Sequence, residues 1–394
     1  MPFITFFFIN LNYYICVALL RPRRLYCKSK VRAGFIMRIL AIIYSLASGG
    51  AEHFTVDLCN ALADSHDITL LTTDDDSDEH NNHYLSELKP SVHYVNLKCS
   101  SGNSFAAIIR ICQYIKKHRP DIVHANTDLE QLILPVLMFN KARYFHTIHS
   151  LANVYVKKKI LIPVYRILYR KRVTPITISE KCSLSYRQLY KLDNDRIIVN
   201  GRSRPECSEN AESVKKMLDS FRGDGHLFVH IANYSPAKNQ QVLFEAVEKV
   251  PEAHLVVVGG GFPDNIIQSQ NPENILFVGT SKNIADYLSS AEFFILSSLY
   301  EGLPLSLLEA MSFGIVPVAT PAGGIQDVIR DGENGYLASG FDSDSLSIAM
   351  KRAIASPLNR DDIRKEYTEL YSMQSCASQY EQLFMIDQHE ISHS

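Results

Sequence analysis

The sequence lacks the features that define several classes of protein. Its eight cysteines form no Cys-x-x-Cys pair, which argues against a zinc site and, in a chain of 394 residues, against a disulfide framework. The formal net charge of −2 gives the whole chain no electrostatic attraction for nucleic acid. No repeat of short period is present. What remains is an ordinary globular composition, 46% apolar and 21% charged, which is sufficient for two or three domains.

The N-terminal residues 1–36 differ from the rest of the chain. An uncharged apolar run over residues 3–20 is interrupted by Asn10 and Asn12, and basic residues follow it. A secretory signal carries its positive charge before the apolar run, whereas this segment carries it afterwards. Two interpretations stay open. The segment is either an extension upstream of a true start at Met37, which is the favoured reading, or a membrane anchor at the lower limit of length for a bilayer.

From Met37 onward, short apolar runs alternate with helical stretches, which predicts parallel sheets covered on both faces. Two such series are present. The first has predicted strands at residues 39–43, 68–71, 92–97, 122–124, 144–148, 176–178 and 197–199. The second has predicted strands at residues 227–232, 255–258, 275–278, 293–296 and 316–319. The polar stretch 200–225 between them is predicted to be a hinge. We therefore expect an α/β protein with two facing Rossmann-like domains and a ligand between them, beyond the carboxyl ends of the strands.

The strongest motif follows the predicted strand 293–296 and consists of Glu301-Gly302-Leu303-Pro304-Leu305-Ser306-Leu307-Leu308-Glu309. Gly302 permits a tight turn, and Pro304 suits the first position of a helix predicted over residues 304–311. The N-terminus of that helix would be an anion site suited to a diphosphate. Glu301 lies in the loop and Glu309 about one and a half turns inside the helix, so we expect each to hold a different part of one ligand.

The spacing of these two glutamates after a strand resembles the signature of the family-4 retaining glycosyltransferases of the GT-B fold. Other segments match the family in the same order, and together the resemblance spans residues 37 to about 384. These segments are Ser48-Gly49-Gly50-Ala51-Glu52, His146-Thr147-Ile148-His149, Ile176-Thr177-Ile178-Ser179-Glu180, Val199-Asn200-Gly201, Pro236-Ala237-Lys238-Asn239, Pro321-Ala322-Gly323-Gly324 and Asp331-Gly332-Glu333-Asn334-Gly335.

The resemblance implies a role for individual residues. Glu301 would hold hydroxyl groups of the donor sugar, and Glu309 would accept hydrogen bonds from the ribose of the nucleotide. Lys238 would neutralise the diphosphate as it leaves. His149 would contact the donor sugar near its anomeric carbon. These assignments make His149, Lys238 and Glu301 the expected catalytic residues.

Further residues are expected around the donor and the acceptor. The expected donor-binding set adds Gly50, Asn233, Gly302, Leu303 and Leu305 to Glu309, and Gly49 is expected on the acceptor side. The chain departs from the family at Asn233, because members usually carry an arginine five residues before the lysine. Ser235 occupies the alternative position. We expect Lys238 and helix N-termini to take over the task of the missing cation, or Asn233 to donate one hydrogen bond.

The resemblance also implies the reaction. A hexosyl or N-acetylhexosaminyl group would pass with retention from a nucleotide-sugar, with a UDP-sugar favoured and GDP-mannose as the alternative. No metal and no cofactor are expected. The acceptor would be a cell-surface polysaccharide or lipid-linked oligosaccharide at the inner face of the cytoplasmic membrane. The expected domains are residues 37–200 for the acceptor, 201–374 for the nucleotide-sugar, and 375–394 for a helix that returns to the first domain. The oligomeric state is left open.

A basic stretch bears on the acceptor or on a membrane. Between Val156 and Val173 lie seven basic residues and no acidic one, interleaved with apolar side chains: Lys157, Lys158, Lys159, Arg166, Arg170, Lys171 and Arg172. The pattern predicts a basic amphipathic helix. That helix would lie on an anionic membrane or grip a lipid-linked diphosphate, or else it would have one core face and one solvated face.

Three rival functions are weighed against this reading. A nicotinamide dehydrogenase is disfavoured because Gly259-Gly260-Gly261 does not have the required glycine spacing. A nucleotide-sugar epimerase of the same fold would form free epimer without an acceptor. A non-catalytic sugar-binding homologue, suggested by Asn233, would bind donor and transfer nothing.

Overall fold

A computed structural model describes residues 36–77, 79–100, 104–156, 158–270 and 273–386. The predicted N-terminal extension lies outside the described residues except for Ile36, and so does Lys157. The chain divides into two compact units. Unit 1 runs to Val199 and resumes at Cys376, and unit 2 spans Asn200–Ser375.

Unit 1 is built on a seven-stranded parallel sheet with the order β3-β2-β1-β4-β5-β6-β7. Its strands are β1 (Arg38–Ile43), β2 (Asp67–Asp74), β3 (His93–Cys99), β4 (Ile122–Ala125), β5 (Arg143–Ile148), β6 (Val173–Thr177) and β7 (Arg196–Ile197). Every residue of β4 and of β6 is buried. Strands that are buried along their whole length are typical of parallel sheets covered by helices on both faces.

The helices of unit 1 follow the strands in turn. They are α1 (Gly50–Leu62), α2 (Ser104–His118), α3 (Ile133–Met138), α4 (Ala152–Tyr155), α5 (Ile162–Lys171) and α6 (Glu180–Tyr190). Ser179 caps α6, because its hydroxyl oxygen accepts a hydrogen bond from the backbone N–H of Cys182 at 3.2 Å. The sequence places this serine directly before the helical pattern.

Unit 2 has a six-stranded parallel sheet with the order β10-β9-β8-β11-β12-β13. Its strands are β8 (His226–Ile231), β9 (Ala253–Val258), β10 (Ile275–Gly279), β11 (Phe293–Leu296), β12 (Val316–Ala319) and β13 (Tyr336–Leu337). Its helices are α7 (Ala211–Arg222), α8 (Gln240–Glu248), α9 (Asp264–Ser269), α10 (Ile284–Leu288), α11 (Leu305–Ser312), α12 (Ile325–Val328), α13 (Ser343–Ala355) and α14 (Arg360–Glu366).

The last helix, α15 (Met373–Met385), starts in unit 2 and packs in unit 1. Tyr380 and Phe384 are fully buried there, and the Tyr380 hydroxyl bonds to that of Thr147 at 2.9 Å. The guanidinium of Arg143 donates to the backbone oxygens of Phe384 and Ile386. Carbonyl groups that end a helix have no partner within it, so Arg143 supplies one.

The predicted α/β class with two parallel Rossmann-like sheets is confirmed. Within each sheet the strand order reverses at one point, between β1 and β4 in unit 1 and between β8 and β11 in unit 2. Ligands of such sheets bind at this reversal, beyond the carboxyl ends of the strands. Among the described residues, no helix is both long enough and apolar enough to cross a membrane.

Two details of the sequence prediction are wrong. The stretch 200–225, predicted as a hinge, contains the twelve-residue helix α7, of which Leu218 is the one buried residue. The short strand β13 was not predicted. Its two residues extend the sheet by pairing with Val318 and Ala319 of β12.

Candidate functional site

The carboxyl edge of the unit 2 sheet brings Lys238 and Glu301 together. Lys238 ends a 3₁₀ turn (Pro236–Lys238) that follows β8, and Glu301 lies in the loop after β11. Two hydrogen bonds tie these loops together. The Ser297 hydroxyl donates to the Lys238 carbonyl at 2.8 Å, and the Leu299 N–H donates to the Ala237 carbonyl at 2.8 Å. The two side chains therefore meet at the reversal of strand order.

Lys238 and Glu301 form an ion pair in which Nζ lies 2.6 Å from Oε1. The Ser298 hydroxyl donates to the same carboxylate oxygen at 2.7 Å. The side chains are 27% and 11% exposed, so the pair is partly accessible to solvent. A cation and a carboxylate held side by side can bind an anionic group and a hydroxyl group that are neighbours in one ligand.

The loop that contains Gly323 and Gly324 fixes the backbone at Glu301. Gly323 has a φ of +51°, and a Cβ atom there would lie 1.8 Å from the Glu301 carbonyl oxygen. A Cβ on Gly324 would lie 1.8 Å from the Gly302 carbonyl oxygen. The Gly324 N–H donates to the Glu301 carbonyl at 3.3 Å. Only glycine permits this approach, so these two residues set the position of the Glu301 loop.

Helix α11 begins at Leu305, one residue later than predicted, and Pro304 is its N-cap. Gly302 is exposed and Leu303 is half-buried before the helix starts. Glu309 lies inside α11 and is 5% exposed. The first turn of α11 therefore follows the Glu301 loop directly. Lys238, Glu301 and Glu309 belong to one edge of one sheet.

Glu309 has a partner that the sequence did not reveal. The Nε of Arg202 donates to its Oε1 at 2.7 Å, and the two side chains are only 8% and 6% exposed. The backbone of Arg202 bonds to the segment that returns to unit 1, because its N–H donates to the Tyr371 carbonyl and its carbonyl accepts from the Met373 N–H. Arg202 directly follows Asn200-Gly201, a segment that matches the family. No rule of spacing, however, connects Arg202 with Glu309.

Asn233, where the family usually has arginine, links the loop after β8 to the loop after β9 by a hydrogen bond. Its Oδ1 accepts a hydrogen bond from the Gly260 N–H at 2.9 Å, and the Tyr234 N–H donates to the Gly260 carbonyl at 2.8 Å. The glycine cluster after β9 is thereby joined to the loop after β8. Asn233 provides no charge, so the cation at this edge nearest to Glu301 is Lys238.

In unit 1, Gly49 and Gly50 start helix α1 after β1. Gly49 is its extended N-cap. A Cβ on Gly49 would lie 2.2 Å from Oε2 of Glu52, so the carboxylate folds back over the start of the helix. Burial raises the pKa of Glu52, and a hydrogen bond from its own backbone N–H partly opposes that shift. The Glu52 carboxylate therefore lies at the N-terminus of α1, where Gly49 and Gly50 were expected to approach a ligand.

His149 follows β5, and Phe54 of α1 contacts its ring edge-on at 5.5 Å between centroids. Its Nε2 lies 3.0 Å from Oδ1 of Asn126, whereas its Nδ1 is buried without a hydrogen-bond partner. Burial, with a smaller contribution from His146, lowers the pKa of His149 to about 3. The ring is therefore neutral at physiological pH.

Two further histidines lie behind His149. The Nε2 of His124 bonds to the Thr147 hydroxyl at 2.8 Å. His146 contacts the Tyr169 hydroxyl through Nδ1 and the Thr127 carbonyl through Nε2, both at 2.7 Å. Burial is the main cause that lowers the pKa of His124 to about 3 and that of His146 to about 4. Three uncharged imidazole rings therefore lie on or directly after β4 and β5.

The predicted basic amphipathic helix is shorter than the basic stretch and corresponds to α5, which contains Arg166, Arg170 and Lys171. A 3₁₀ turn (Lys159–Leu161) precedes α5, which is ten residues long. The apolar face of α5, including Val164 and Leu168, is buried in the core of unit 1. Lys158 pairs with Glu130 at 2.8 Å. The arrangement matches the alternative of one core face and one solvated face.

Within the part of the chain that the structure describes, no three His, Cys, Asp or Glu side chains are grouped to hold a metal ion. The acidic residues 74–76 end β2 and begin a loop, where Asp76 accepts a hydrogen bond from Tyr94. Each unit thus carries its own set of predicted residues. Gly49, Gly50 and His149 lie in unit 1, and Asn233, Lys238 and the residues from Glu301 to Glu309 lie in unit 2.

Comparisons with known proteins agree with this division. Residues 219–369 match the family described as Glycosyl transferases group 1, and residues 48–201 match Glycosyltransferase Family 4. The chain is 24% identical over 269 residues to the UDP-Gal:alpha-D-GlcNAc-diphosphoundecaprenol alpha-1,3-galactosyltransferase of Escherichia coli, covering 62% of this chain and 69% of that protein. It is 21% identical over 307 residues to the capsular polysaccharide biosynthesis glycosyltransferase CapH of Staphylococcus aureus, covering 72% of this chain and 81% of that protein. Among solved structures, Anabaena HepE in complex with UDP superposes with a TM-score of 0.73 at 17% identity, covering 88% of this chain and 99% of HepE.

Proposed function

The chain belongs to the family-4 glycosyltransferases of the GT-B fold, and from this premise we propose that it is a retaining, metal-independent hexosyltransferase. It takes a hexosyl or N-acetylhexosaminyl group from a nucleoside diphosphate sugar. The observation that carries the proposal is the ion pair of Lys238 with Glu301, at the strand reversal of unit 2 and directly before α11. A ligand with a diphosphate next to a sugar fits that pair.

The donor is held by three groups of unit 2. The Lys238 ammonium and the N–H groups at the start of α11 face the diphosphate. Glu301 exchanges part of its contact with Lys238 for sugar hydroxyl groups. Glu309, aligned by Arg202, accepts from the ribose. Asn233 is neutral and bonded to Gly260. Lys238 therefore supplies most of the positive charge beside the diphosphate, to which an arginine also contributes in other members of the family.

The reaction proceeds on one face of the sugar. The bond between the anomeric carbon and the diphosphate oxygen breaks, and its electron pair leaves with the diphosphate. The acceptor hydroxyl oxygen forms the new bond from that same face, and its proton passes to the departing phosphate oxygen. Lys238 stabilises the negative charge that grows on the leaving group. No side chain of the chain becomes covalently attached to the sugar.

We favour UDP as the nucleotide, with GDP-mannose as the alternative donor. HepE was solved with UDP, and the name of the relative from Escherichia coli specifies UDP-Gal as its donor. The acceptor class is a polysaccharide or lipid-linked oligosaccharide. The names of the Escherichia coli and Staphylococcus aureus relatives, which refer to a diphosphoundecaprenol acceptor and to capsular polysaccharide, support it.

The test incubates the full chain with UDP-glucose, UDP-galactose, UDP-N-acetylglucosamine or GDP-mannose, each with and without lipid-diphosphate sugar acceptors. We expect acceptor-dependent release of nucleoside diphosphate, an axial anomeric product from an axial donor by NMR, and full activity in excess chelator. Free epimer formed without acceptor would support an epimerase instead. Tight donor binding with no transfer to any acceptor would support a non-catalytic sugar-binding protein.

We place the protein at the cytoplasmic membrane face, through the surface around Lys158, Lys159 and Ile160 of unit 1. Ile160 is 82% exposed beside these lysines, and Leu151 is 41% exposed. Apolar and basic side chains together favour an anionic lipid surface. Neutralising Lys158 and Lys159 should weaken binding to phosphatidylglycerol vesicles, while the matched change of Lys116 and Lys117 on α2 should not. Equal binding by both variants would exclude this surface.

A further inference from the structure

Asn126 has a buried side-chain amide, of which the oxygen has a hydrogen-bond partner in the protein and the nitrogen has none. It follows β4 at the strand reversal of unit 1, where its N–H continues the ladder by donating to the Ile42 carbonyl at 2.8 Å. The residue is 4% exposed. Its Oδ1 receives the Nε2 of His149 at 3.0 Å, whereas its Nδ2 is buried without a hydrogen-bond partner.

This contact decides which nitrogen of His149 carries the proton. An amide oxygen can only accept, so Nε2 must donate. The ring is neutral, so Nδ1 then has a bare lone pair, and it is buried without a partner. Phe54 packs edge-on against the ring and restricts its rotation. The site therefore presents one unsatisfied acceptor on His149 and one unsatisfied donor on Asn126.

Unsatisfied buried polar groups are costly, and they are rare in folded proteins unless a ligand or water completes them. Hydroxyl groups both donate and accept, so a sugar ring can supply partners of either kind. A phosphate group carries only acceptor oxygens at neutral pH and would repel the lone pair on Nδ1. The chemistry of the two atoms therefore matches the sugar portion of a donor and does not match its diphosphate.

We propose that Asn126 is a positioning residue that fixes His149 as a hydrogen-bond acceptor for a hydroxyl group of the donor sugar. The proposal rests on the proposed function, because it takes the ligand to be a nucleotide-sugar. It assigns His149 to the recognition of the sugar and leaves the charge of the leaving group to Lys238. The unpaired Nδ2 of Asn126 offers a donor to the same hydroxyl-rich ligand.

The protonation pattern of His149 tests the positioning without any assay of activity. The full chain is labelled with ¹⁵N-histidine, and the ring of His149 is assigned by its loss in His149→Gln. We expect a bare Nδ1 and a protonated Nε2 in the unchanged protein. In Asn126→Ala, the acceptor for Nε2 is gone, so both tautomers should be populated. In Asn126→Asp, measured at pH 8, the carboxylate restores an acceptor and with it the original tautomer.

Asn60→Ala is the matched control. Asn60 is an asparagine of unit 1 that makes two hydrogen bonds, to the Glu87 carbonyl and from the Lys89 N–H, away from His149. It should leave the tautomer of His149 and the transfer kinetics unchanged. A loss of folding in Asn126→Ala would be visible as a change across all histidine signals. The tautomer of His149 is then compared between the unchanged protein and Asn126→Asp.

Titration with UDP and with UDP-sugars tests the ligand. The Nδ1 signal should move with the UDP-sugar that is the substrate and stay unchanged with UDP alone. The kcat/KM for that donor should fall about tenfold in Asn126→Ala and recover in part in Asn126→Asp, because about one hydrogen bond to the sugar is lost when His149 no longer holds one tautomer. A bare Nε2 in the unchanged protein, or Asn126→Ala with unaltered tautomer and kinetics, would overturn the positioning role. The predicted tautomers without any response of His149 to a nucleotide-sugar that the protein does transfer would leave the positioning and the proposed function intact and overturn the sugar ligand of His149.

Discussion

The two units place different chemistry at the same edge of similar sheets. In unit 1 the carboxyl ends of β4 and β5 carry neutral side chains, with His124, His146 and His149 uncharged and His149 bonded to an amide. In unit 2 the corresponding edge carries two ion pairs, Lys238 with Glu301 and Arg202 with Glu309.

The difference matches the two parts of a nucleotide-sugar reaction. Charged pairs suit a diphosphate and a ribose diol, and neutral acceptors and donors suit sugar hydroxyl groups. Both sheets share the strand order 3-2-1-4-5-6 from their first strand onward, so the order alone does not determine what binds. Each prediction below sharpens or breaks this comparison between a neutral edge and a charged one.

Acidification should destabilise unit 1 more than unit 2. His124, His146 and His149 have pKa values of about 3 to 4 in the folded chain, below the ordinary value of 6.5, so the unfolded chain binds more protons between these limits. Stability is therefore complete above pH 6.5 and is lost as the pH falls toward 4. Each such histidine contributes a slope of up to about 1.4 kcal/mol per pH unit. In unit 2 burial lowers the pKa of His230 to about 4, and it lowers that of His254 as well.

Hydrogen exchange of the full chain at pH 7 and pH 5 measures this difference, after correction for the intrinsic exchange rate. Peptides from β4 and β5 should lose more protection than peptides from β8 and β11. The two units are measured in one sample, so each serves as the control for the other. Equal losses in both units would mean that the buried histidines of unit 1 are not held neutral.

Removing Arg202 should destabilise unit 2 more than removing a partly exposed arginine. Arg202→Met leaves Glu309 charged and buried, which destabilises by about 3–5 kcal/mol. The double variant Arg202→Met/Glu309→Met should recover most of that loss. Urea unfolding checks both, with Arg222→Met as the control. Arg222 pairs with Glu292 at 32% and 30% exposure, and exposed pairs contribute about 1 kcal/mol or less. Similar losses from the two arginines would show that the edge of unit 2 does not depend on a buried charge.

Lys238→Ala should reduce the rate of transfer far more than the stability. In the proposed reaction the lysine stabilises the charge that grows on the leaving diphosphate, so kcat should fall by about 10² to 10³. Its pair with Glu301 is partly exposed, so unfolding should change much less. Lys249→Ala is the control, because Lys249 pairs with Asp344 in the same unit at 39% and 82% exposure. Steady-state kinetics of both variants measure kcat. An unaltered kcat in Lys238→Ala would show that the Lys238 charge does not take part in the transfer.

The sequence was sufficient to predict both sheets and the loop with Glu301 between a strand and a helix. Short apolar runs at regular intervals predict parallel strands, and the turn at Gly302 before α11 is a local signal. The ion pair of Arg202 with Glu309 could not be predicted from the sequence, because the partners are distant in the chain and meet only through packing. The role of Asn126 was missed for the same reason. Helix α7 was missed because the stretch that contains it is mostly polar and only Leu218 is buried.

The two exposed lysine pairs of unit 1 should be marginal to its stability, in contrast to the buried pair of Arg202 with Glu309 in unit 2. Lys158 pairs with Glu130 at 50% and 15% exposure, so Lys158→Ala should lower the free energy of unfolding by less than about 1 kcal/mol. Lys89→Ala, which breaks a pair with Asp64 at 45% and 64% exposure, should give a similar small loss. Both losses should shrink further in 1 M salt, where the Debye length is about 3 Å. Urea unfolding at low and high salt measures them. A salt-resistant loss of about 3 kcal/mol or more from Lys158→Ala, the size expected for a broken buried pair, would mean that unit 1 also depends on a charge at this edge, and the contrast between a neutral and a charged edge would no longer hold.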